Sequence, residues 1–151
     1  MADLLRDYGD RWTFEPVTIG SPAVATGFTK RVAGSDVWRV LSVSFVLVAD
    51  GNAASRIARV EYLNAAGDVF AAVASPFTVT TGVTTRFTFA VGLQQFGANA
   101  AAHIGGPLPD LILMDGLAVR VAVTAIQAGD QLSGISLFVA QSTVRPDENG
   151  G

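Results

Sequence analysis

Residues 36–50, with the sequence DVWRVLSVSFVLVAD, constrain the fold most because no other stretch is as long, as apolar and as regular in its alternation. Such a run, closed by an Asp-Gly-Asn turn, predicts a long β-strand. Successive side chains of a strand point to opposite faces. The face that we expect in the core carries Val37, Leu41, Val43, Phe45 and Leu47, with Arg39 near its entry.

The opposite face of the same strand is mixed. It carries Ser42 and Ser44 between the larger apolar residues Trp38 and Val46. A surface of this kind is typical of a strand that is half covered by a neighbouring element or by another subunit. We therefore expect a subunit contact on this face.

Turn residues divide the rest of the chain into further strand candidates. Apolar, β-branched runs lie at 13–19, 28–32, 56–63, 69–74, 83–91, 110–114, 117–126 and 132–140. Regular spacing, turn chemistry and the lack of an internal helical pattern predict an all-β fold of seven to nine strands, an antiparallel sandwich or barrel. The Gly-, Pro- and Ala-rich segment 92–109 is expected to be the long loop of this domain.

The first twelve residues follow a different pattern. Leu4, Leu5, Tyr8 and Trp12 recur at helical spacing, which indicates one or two turns of amphipathic helix. So short a helix is marginal alone, and it either packs on its own domain or docks as an arm on another chain. We predict an N-terminal arm at 1–12, a sandwich domain at 13–141 and a flexible tail at 142–151.

The candidate partner-binding residues are the four apolar residues of this arm, Leu4, Leu5, Tyr8 and Trp12, together with Trp38. Trp38 begins a long strand between bulky apolar residues. For that residue, packing beneath the arm or a neighbouring chain is favoured over contact with a ligand.

Composition restricts the possible functions. Half of the 151 residues are hydrophobic and 15% are charged, against about 25% in a typical globular protein. We therefore expect a partner to cover part of the surface. The net charge of −3 argues against nucleic-acid binding, which needs clustered Lys and Arg. The lack of Cys excludes disulfides and zinc held by sulfur.

Two further patterns bear on the location of the protein. No apolar run approaches the roughly 18 residues that a membrane-spanning helix needs. The acidic N-terminus is also unlike a signal peptide, which carries positive charge before an apolar segment. We therefore expect no membrane contact and a protein that is made in a cytoplasm.

The sequence offers no recognisable catalytic centre. His103 is the single His, whereas a catalytic triad or a cupin-like metal site needs further partners. Several Asp residues stand in turns, where the side chain usually bonds to nearby backbone; calcium at 50–52 is the alternative, without EF-hand spacing to support it. We predict no enzyme activity, no cofactor, no metal and no catalytic residue.

Five segments together resemble a known family. They are SDVWRVLSVSFVLVAD at 35–50, RIARVEYLNAAGDVFAAVASP at 56–76, TTRFTFAVGL at 84–93, PLPDLILMDGLAVRVAV at 107–123 and AGDQLSGISLFVAQ at 128–141. Over 35–141 the chain is similar to the small jelly-roll structural proteins of tailed bacteriophages, of the capsid-decoration (cement) or fibre kind. The resemblance is one of strands and turns rather than of a site motif.

The resemblance implies a jelly roll that assembles with itself, often as a homotrimer, and binds the major capsid protein. Such a protein would be assembled in the host cytoplasm and lie on the capsid surface of the virion, with its arm making extra contacts. The first functional hypothesis is therefore a non-enzymatic protein that decorates and stabilises the capsid by binding at capsid-subunit junctions as an oligomer. The alternative is a carbohydrate- or receptor-binding module on a phage tail or fibre, using the sandwich face or the loops at 50–55 and 92–109.

Overall fold

The computed structural model describes residues 12–143, and no helix occurs among them. The chain forms ten strands in order: β1 (Thr13–Ile19), β2 (Phe28–Arg31), β3 (Asp36–Val48), β4 (Ile57–Leu63), β5 (Val69–Ala74), β6 (Thr84–Ala90), β7 (His103–Pro107), β8 (Ile112–Leu113), β9 (Ala118–Thr124) and β10 (Gln131–Thr143). The predicted strand runs all correspond to strands of this set. Turn chemistry and alternation therefore located these elements correctly.

The ten strands form two sheets that share one hydrophobic core. The first sheet has the order β1-β10-β3-β6-β7, with β8 paired to the beginning of β3, and the second has the order β2-β9-β4-β5. Three phenylalanines, Phe45, Phe87 and Phe89, stack at the centre of the first sheet's inner face with ring centroids 5.1–6.4 Å apart. Facing them, the second sheet contributes Val60, Tyr62 and Val121, all fully buried.

The pairing of the strands defines a jelly roll. Four antiparallel pairs, β1 with β10, β2 with β9, β3 with β6 and β4 with β5, make one long hairpin whose halves run in opposite directions. Pairing of β10 with β3 and of β9 with β4 then rolls this hairpin into two four-stranded sheets. Two Greek keys in eight strands are the definition of that fold, so the fold predicted from the sequence is confirmed.

Of the two strands beyond the eight of the jelly roll, β7 lies in the segment that was expected to be a long loop, whereas β8 corresponds to the predicted run at 110–114. β7 pairs parallel with β6, so the expectation that 92–109 is one long loop was wrong at 103–107. β8 pairs with Trp38 and Arg39, beyond the residues of β3 that β6 reaches. Gly105 and Gly106 weaken the strand signal of β7, because glycine has no side chain that would show alternation.

Strand β3 contains a bulge that the sequence pattern did not reveal. Phe138 pairs with Ser42 but Val139 pairs with Val40, so Leu41 is an extra residue on β3. A bulge reverses the faces of the residues on one side of it. Val43, Phe45 and Leu47 lie in the core as predicted, whereas the expectation for Leu41 and Arg39 was wrong: Leu41 is half-buried, Arg39 faces outwards, and Trp38 and Val40 fill the core instead.

Part of the predicted arm and tail lies outside the described residues. This applies to Leu4, Leu5 and Tyr8, whereas Trp12 is described and half-buried. β10 continues to Thr143, two residues past the end predicted for the domain. The division into arm, domain and tail stays a prediction.

Candidate interaction surface

The outer face of the first sheet is the side turned away from the core, and many side chains at its centre are small. The strand register arranges them in rows across the sheet. One row contains Thr18, Ser136, Ser44, Thr88 and Gly105, and the next contains Pro16, Phe138, Ser42, Ala90 and Pro107. Ser42 and Ser44 therefore face outwards, as the sequence predicted. Neither row carries a charge.

Large apolar side chains stand at one end of this outer face. Phe14 is 64% exposed and Phe138 is 40% exposed. Their rings stack with centroids 6.3 Å apart across the β1–β10 pair. In the row that contains Phe14, Ala140 and Arg39, the last member is Ile112 of β8, which is 53% exposed. The result is an apolar patch on a rigid sheet rather than on a loop.

An exposed ion pair lies within this patch, because Arg39 stands between Ala140 and Ile112 in the same row. The guanidinium of Arg39 donates two hydrogen bonds to the carboxylate of Asp110, with lengths of 2.7 and 2.6 Å. These hydrogen bonds lower the pKa of Asp110, and the same carboxylate raises the pKa of Arg39. Because the pair is bidentate, it fixes the segment before β8 to β3.

His103 lies on the edge strand β7, beside the row that contains Ser44 and Thr88. Its Nε2 is 2.9 Å from the hydroxyl of Thr88, and its ring meets the ring of Phe96 edge-on at 4.9 Å. Phe96 also exchanges two backbone hydrogen bonds with Gly105, of 3.0 and 3.1 Å. No carboxylate or serine hydroxyl among the described residues is hydrogen-bonded to His103, so its surroundings are those of a packing residue and not of a triad.

A second notable group, the Arg56 cluster, lies at one end of the sandwich and consists of Arg56, Asp50, Asp130, Asn52 and Gly129. The Arg56 side chain is fully buried and donates to Asp130 at 2.6 Å and to Asp50 at 2.8 Å. Asp50 also accepts from the Asn52 backbone and side chain and from the Gly129 amide, at 3.0, 2.7 and 2.9 Å. The cluster joins the turn after β3 to the turn before β10.

Both carboxylates of the Arg56 cluster are held in the ionised form. Burial alone would raise their pKa values, but hydrogen bonds outweigh it. Those from Asn52 and Gly129 lower the pKa of Asp50, while those from Arg56 and from the amides of Asp50 and Gln127 lower the pKa of Asp130. Because donors surround these oxygens, the turn at 50–52 is built for hydrogen bonding to Arg56 rather than for calcium.

The outer face of the second sheet has a different character. It carries Arg59, Glu61 and Arg120 on its two central strands. Arg120 donates to Glu61 at 3.2 Å. Arg31 of the edge strand β2 reaches the carbonyl of Gly116 at 2.8 Å. Charge therefore lies on the central strands of this face, whereas on the outer face of the first sheet Arg39 and Arg86 lie outside the two uncharged rows.

The predicted partner-binding residues do not form one site in the described part of the chain. Trp38 is 6% exposed and belongs to the core. Its contact with a partner stays a prediction, as does that of Trp12, which immediately precedes β1. The exposed residues Phe14, Phe138 and Ile112 were missed. Alternation in β10 could have indicated Phe138, but the outward direction of Phe14 and Ile112 depends on long-range register.

Within residues 12–143 two kinds of site are not found. No group of three or more His, Asp or Glu side chains is placed to hold a metal ion. No helix in that range has the length and apolar character to span a membrane.

No protein-family model and no curated protein matches the chain. Solved structures that are similar to it come from infectious bursal disease virus: the viral particle, the Gx strain, and derived T=1 particles of mutant VP2. Identity is 10–12% and the TM-score 0.31–0.32, over 93% of this chain. The chain spans 41–46% of the length of those chains. Likeness at this level carries no argument about function.

Proposed function

We propose that the protein is a non-enzymatic structural protein of a virion, which decorates and stabilises the capsid by binding at capsid-subunit junctions as an oligomer. The observation that carries the interaction is the outer face of the first sheet, with its apolar patch of Phe14, Phe138 and Ile112. The virion setting rests on the resemblance of residues 35–141 to phage decoration proteins.

The chemistry of this outer face suits permanent contact with protein. Burying it removes apolar area from water, which contributes about 25 cal/mol per Å². Its hydroxyl groups are desolvated at lower cost than carboxylates would be. The residues also stand on paired strands, so little conformational entropy is lost when a partner binds.

The N-terminal segment 1–12 is proposed to add to the same contact. It joins the described domain at β1, the edge strand that carries Phe14. An arm that starts here can extend across a neighbouring chain while the sheet makes the main contact. Leu4, Leu5, Tyr8 and Trp12 are the residues proposed to bind.

The carbohydrate-binding alternative has less support. Sugar-binding modules present flat aromatic rings, above all tryptophan, to the ligand, and Trp38 lies in the core. One of the two loops proposed for it, 50–55, is held by the Arg56 cluster, in which Arg56 binds the carbonyls of Asn52 and Ala54 at 3.1 and 3.3 Å. The backbone there is already committed to internal contacts.

The test uses full-length protein and capsids of the virus that encodes it, purified without this protein. We expect wild type to sediment with the capsids. Phe138→Lys should lose this binding, since a charge would then have to be desolvated at the centre of the contact. Val24→Lys is the matched control, because Val24 is an exposed apolar residue of the loop between β1 and β2.

Deletion of residues 1–12 should weaken capsid binding with no change in the unfolding transition of the domain. Unchanged capsid binding by Phe138→Lys contradicts the proposed surface, and unchanged binding by the truncated protein contradicts the arm. Specific binding of a glycan array by wild type, without capsid binding, would favour the alternative function.

A further inference from the structure

Apart from the two-residue strand β8, the two sheets have four edge strands in the described residues, and these differ in how well they are protected against pairing with another strand. In β1, Pro16 lacks a backbone N–H. β2 is four residues long and carries Lys30 and Arg31. β7 is bridged by Phe96 through Gly105. Short length, charge, proline and coverage are the devices by which natural sheets avoid edge-to-edge association.

The fourth edge strand, β5, has almost none of these devices. Its sequence is VFAAVA, with neither charge nor proline. Within the described residues it pairs with β4 alone. It has one irregularity, since Leu63 pairs with Val69 and Tyr62 with Ala71, which leaves Phe70 as a bulge at its beginning. The remainder, residues 71–74, is a regular and exposed edge.

Hydrogen bonding fixes which residues of β5 offer free backbone groups. The Ser75 amide donates to the Ala58 carbonyl at 2.7 Å, and Ala74 pairs with Arg59. In an antiparallel ladder, bonded and non-bonded pairs alternate. Ala71 and Val73 therefore bond to β4, whereas the N–H and C=O groups of Ala72 and Ala74 point away from it.

We propose that a second copy of this chain pairs with β5, antiparallel, about a two-fold axis at Val73. Ala72 then lies opposite Ala74 of the partner subunit, and Ala74 opposite the partner's Ala72. These residues exchange four backbone hydrogen bonds, and the two second sheets become one eight-stranded sheet. Pairing centred there uses the regular part of β5 and does not involve the bulge at Phe70.

Side chains and charges around this axis complement those of an identical copy. On the outer face the opposed residues are alanines, which present neither bulk nor charge. In the next strand, Glu61 lies beside Ala72 and Arg59 beside Ala74. The pairing therefore brings Glu61 into the same row as the partner's Arg59, with β4 strands about 14 Å apart. Charges of opposite sign thus face each other across the two-fold axis. Salt screens charges at this separation, so the arrangement favours a second copy over an unrelated strand most strongly at low ionic strength.

This contact is separate from the outer face of the first sheet, so it stands or fails independently of the proposed function. It consists mainly of the four backbone hydrogen bonds between Ala72 and Ala74 of the two copies. The exposed side chains of Val69 and Phe70 lie to one side of these bonds. Because the paired area is below that of a standard interface, we expect association that depends on protein concentration.

The test combines sedimentation velocity and amide exchange of full-length wild type over a series of concentrations. We expect the mass to double as concentration rises, while the amides of Ala72 and Ala74 become slower to exchange. Exchange at Val73, which already bonds to β4, should not change. Because this measurement needs no variant, it does not depend on how a substitution affects folding.

Ala72→Lys should remain monomeric, since the lysine stands beside its own Glu61 but meets the partner's Arg59. Thr29→Lys is the control, because Thr29 lies on the edge strand β2 at the outer face of the same sheet, and it should associate as wild type does. A wild type that stays monomeric, amides at Ala72 and Ala74 that are slow at every concentration, or doubling that survives Ala72→Lys would each overturn the proposal.

Discussion

The Arg56 cluster and the outer face of the first sheet depart from ordinary protein surfaces and interiors in opposite ways. The cluster places a guanidinium and two carboxylates where almost no water reaches them, and the chain itself supplies their partners. The outer face places phenylalanine and isoleucine in water, and the described residues supply nothing to cover them. Folding itself supplies the partners of the buried charges. The exposed apolar side chains can be covered only by another molecule. Substitutions should therefore affect stability in one region and association in the other.

The largest effect on stability is expected from Asp130→Asn. The substitution preserves shape but leaves the buried charge of Arg56 without its closest partner, which bonds to it at 2.6 Å. Removing one member of a buried pair costs about 3–5 kcal/mol, and urea unfolding should show a loss of that size.

A matched double variant, Arg56→Met with Asp130→Asn, removes the guanidinium together with the charge of its closest carboxylate. The introduced asparagine keeps an oxygen that can accept from the backbone amides, so this variant should regain part of the loss. If Asp130→Asn alone lowers the free energy of unfolding by less than about 1 kcal/mol, the Arg56–Asp130 pair contributes no more than an exposed ion pair does. The contrast between the two regions would then disappear.

The same cluster predicts a dependence of stability on pH. The folded-state pKa values of Asp50 and Asp130 are lowered, below about 3.9 for an unfolded Asp. The folded protein therefore binds fewer protons, so this stability is fully present above about pH 4 and is lost as the pH falls through the folded values. Unfolding free energies measured at decreasing pH should fall less steeply in Asp130→Asn than in wild type.

Asp68→Asn is the control for charge, because the carboxylate that it removes accepts a hydrogen bond from the side-chain amide of Asn64 at 3.4 Å and is not bonded to Arg56. Its free energy of unfolding should fall with decreasing pH as steeply as that of wild type. Equal slopes in wild type and Asp130→Asn would mean that the Arg56 cluster does not determine acid sensitivity.

A small effect is expected where an ion pair lies on the outer face. Arg39 and Asp110 have side chains 44% and 47% exposed, and exposed pairs contribute about 0.2–1 kcal/mol. A double-mutant cycle with Arg39→Ala and Asp110→Ala should give a coupling energy in that range, which 1 M salt reduces. A coupling energy as large as the loss of about 3–5 kcal/mol expected for the buried pair would show that solvent exposure does not explain the difference between the two regions.

The sequence predicted most of the fold because local signals specify it. Turn residues such as those at 64–68 separate alternating runs, and each run became a strand. What it could not predict depends on distant residues. Arg56 reads as an ordinary first residue of a strand, since its partner Asp130 is 74 positions away.

The candidate interaction surface was predicted in part for the same reason. The outward direction of Ser42 and Ser44 follows from alternation on the C-terminal side of Leu41. Arg39 and Trp38 lie on the other side of the bulge, where alternation counted from Val43 gives the wrong face. Phe14 and Ile112 join the patch only through pairing with strands far away in sequence.

The bulge at Leu41 makes the length of β3 as important as its composition. Without that residue the alternation of side chains would continue unbroken along the strand. One group of core residues would then turn towards water, either Trp38 and Val40 or Val43, Phe45 and Leu47. A deletion would thus exchange inside for outside over half a strand, although every remaining residue is native. Variation along this scaffold is therefore expected to replace side chains freely at the outer face while conserving the number of residues between Trp38 and Val43.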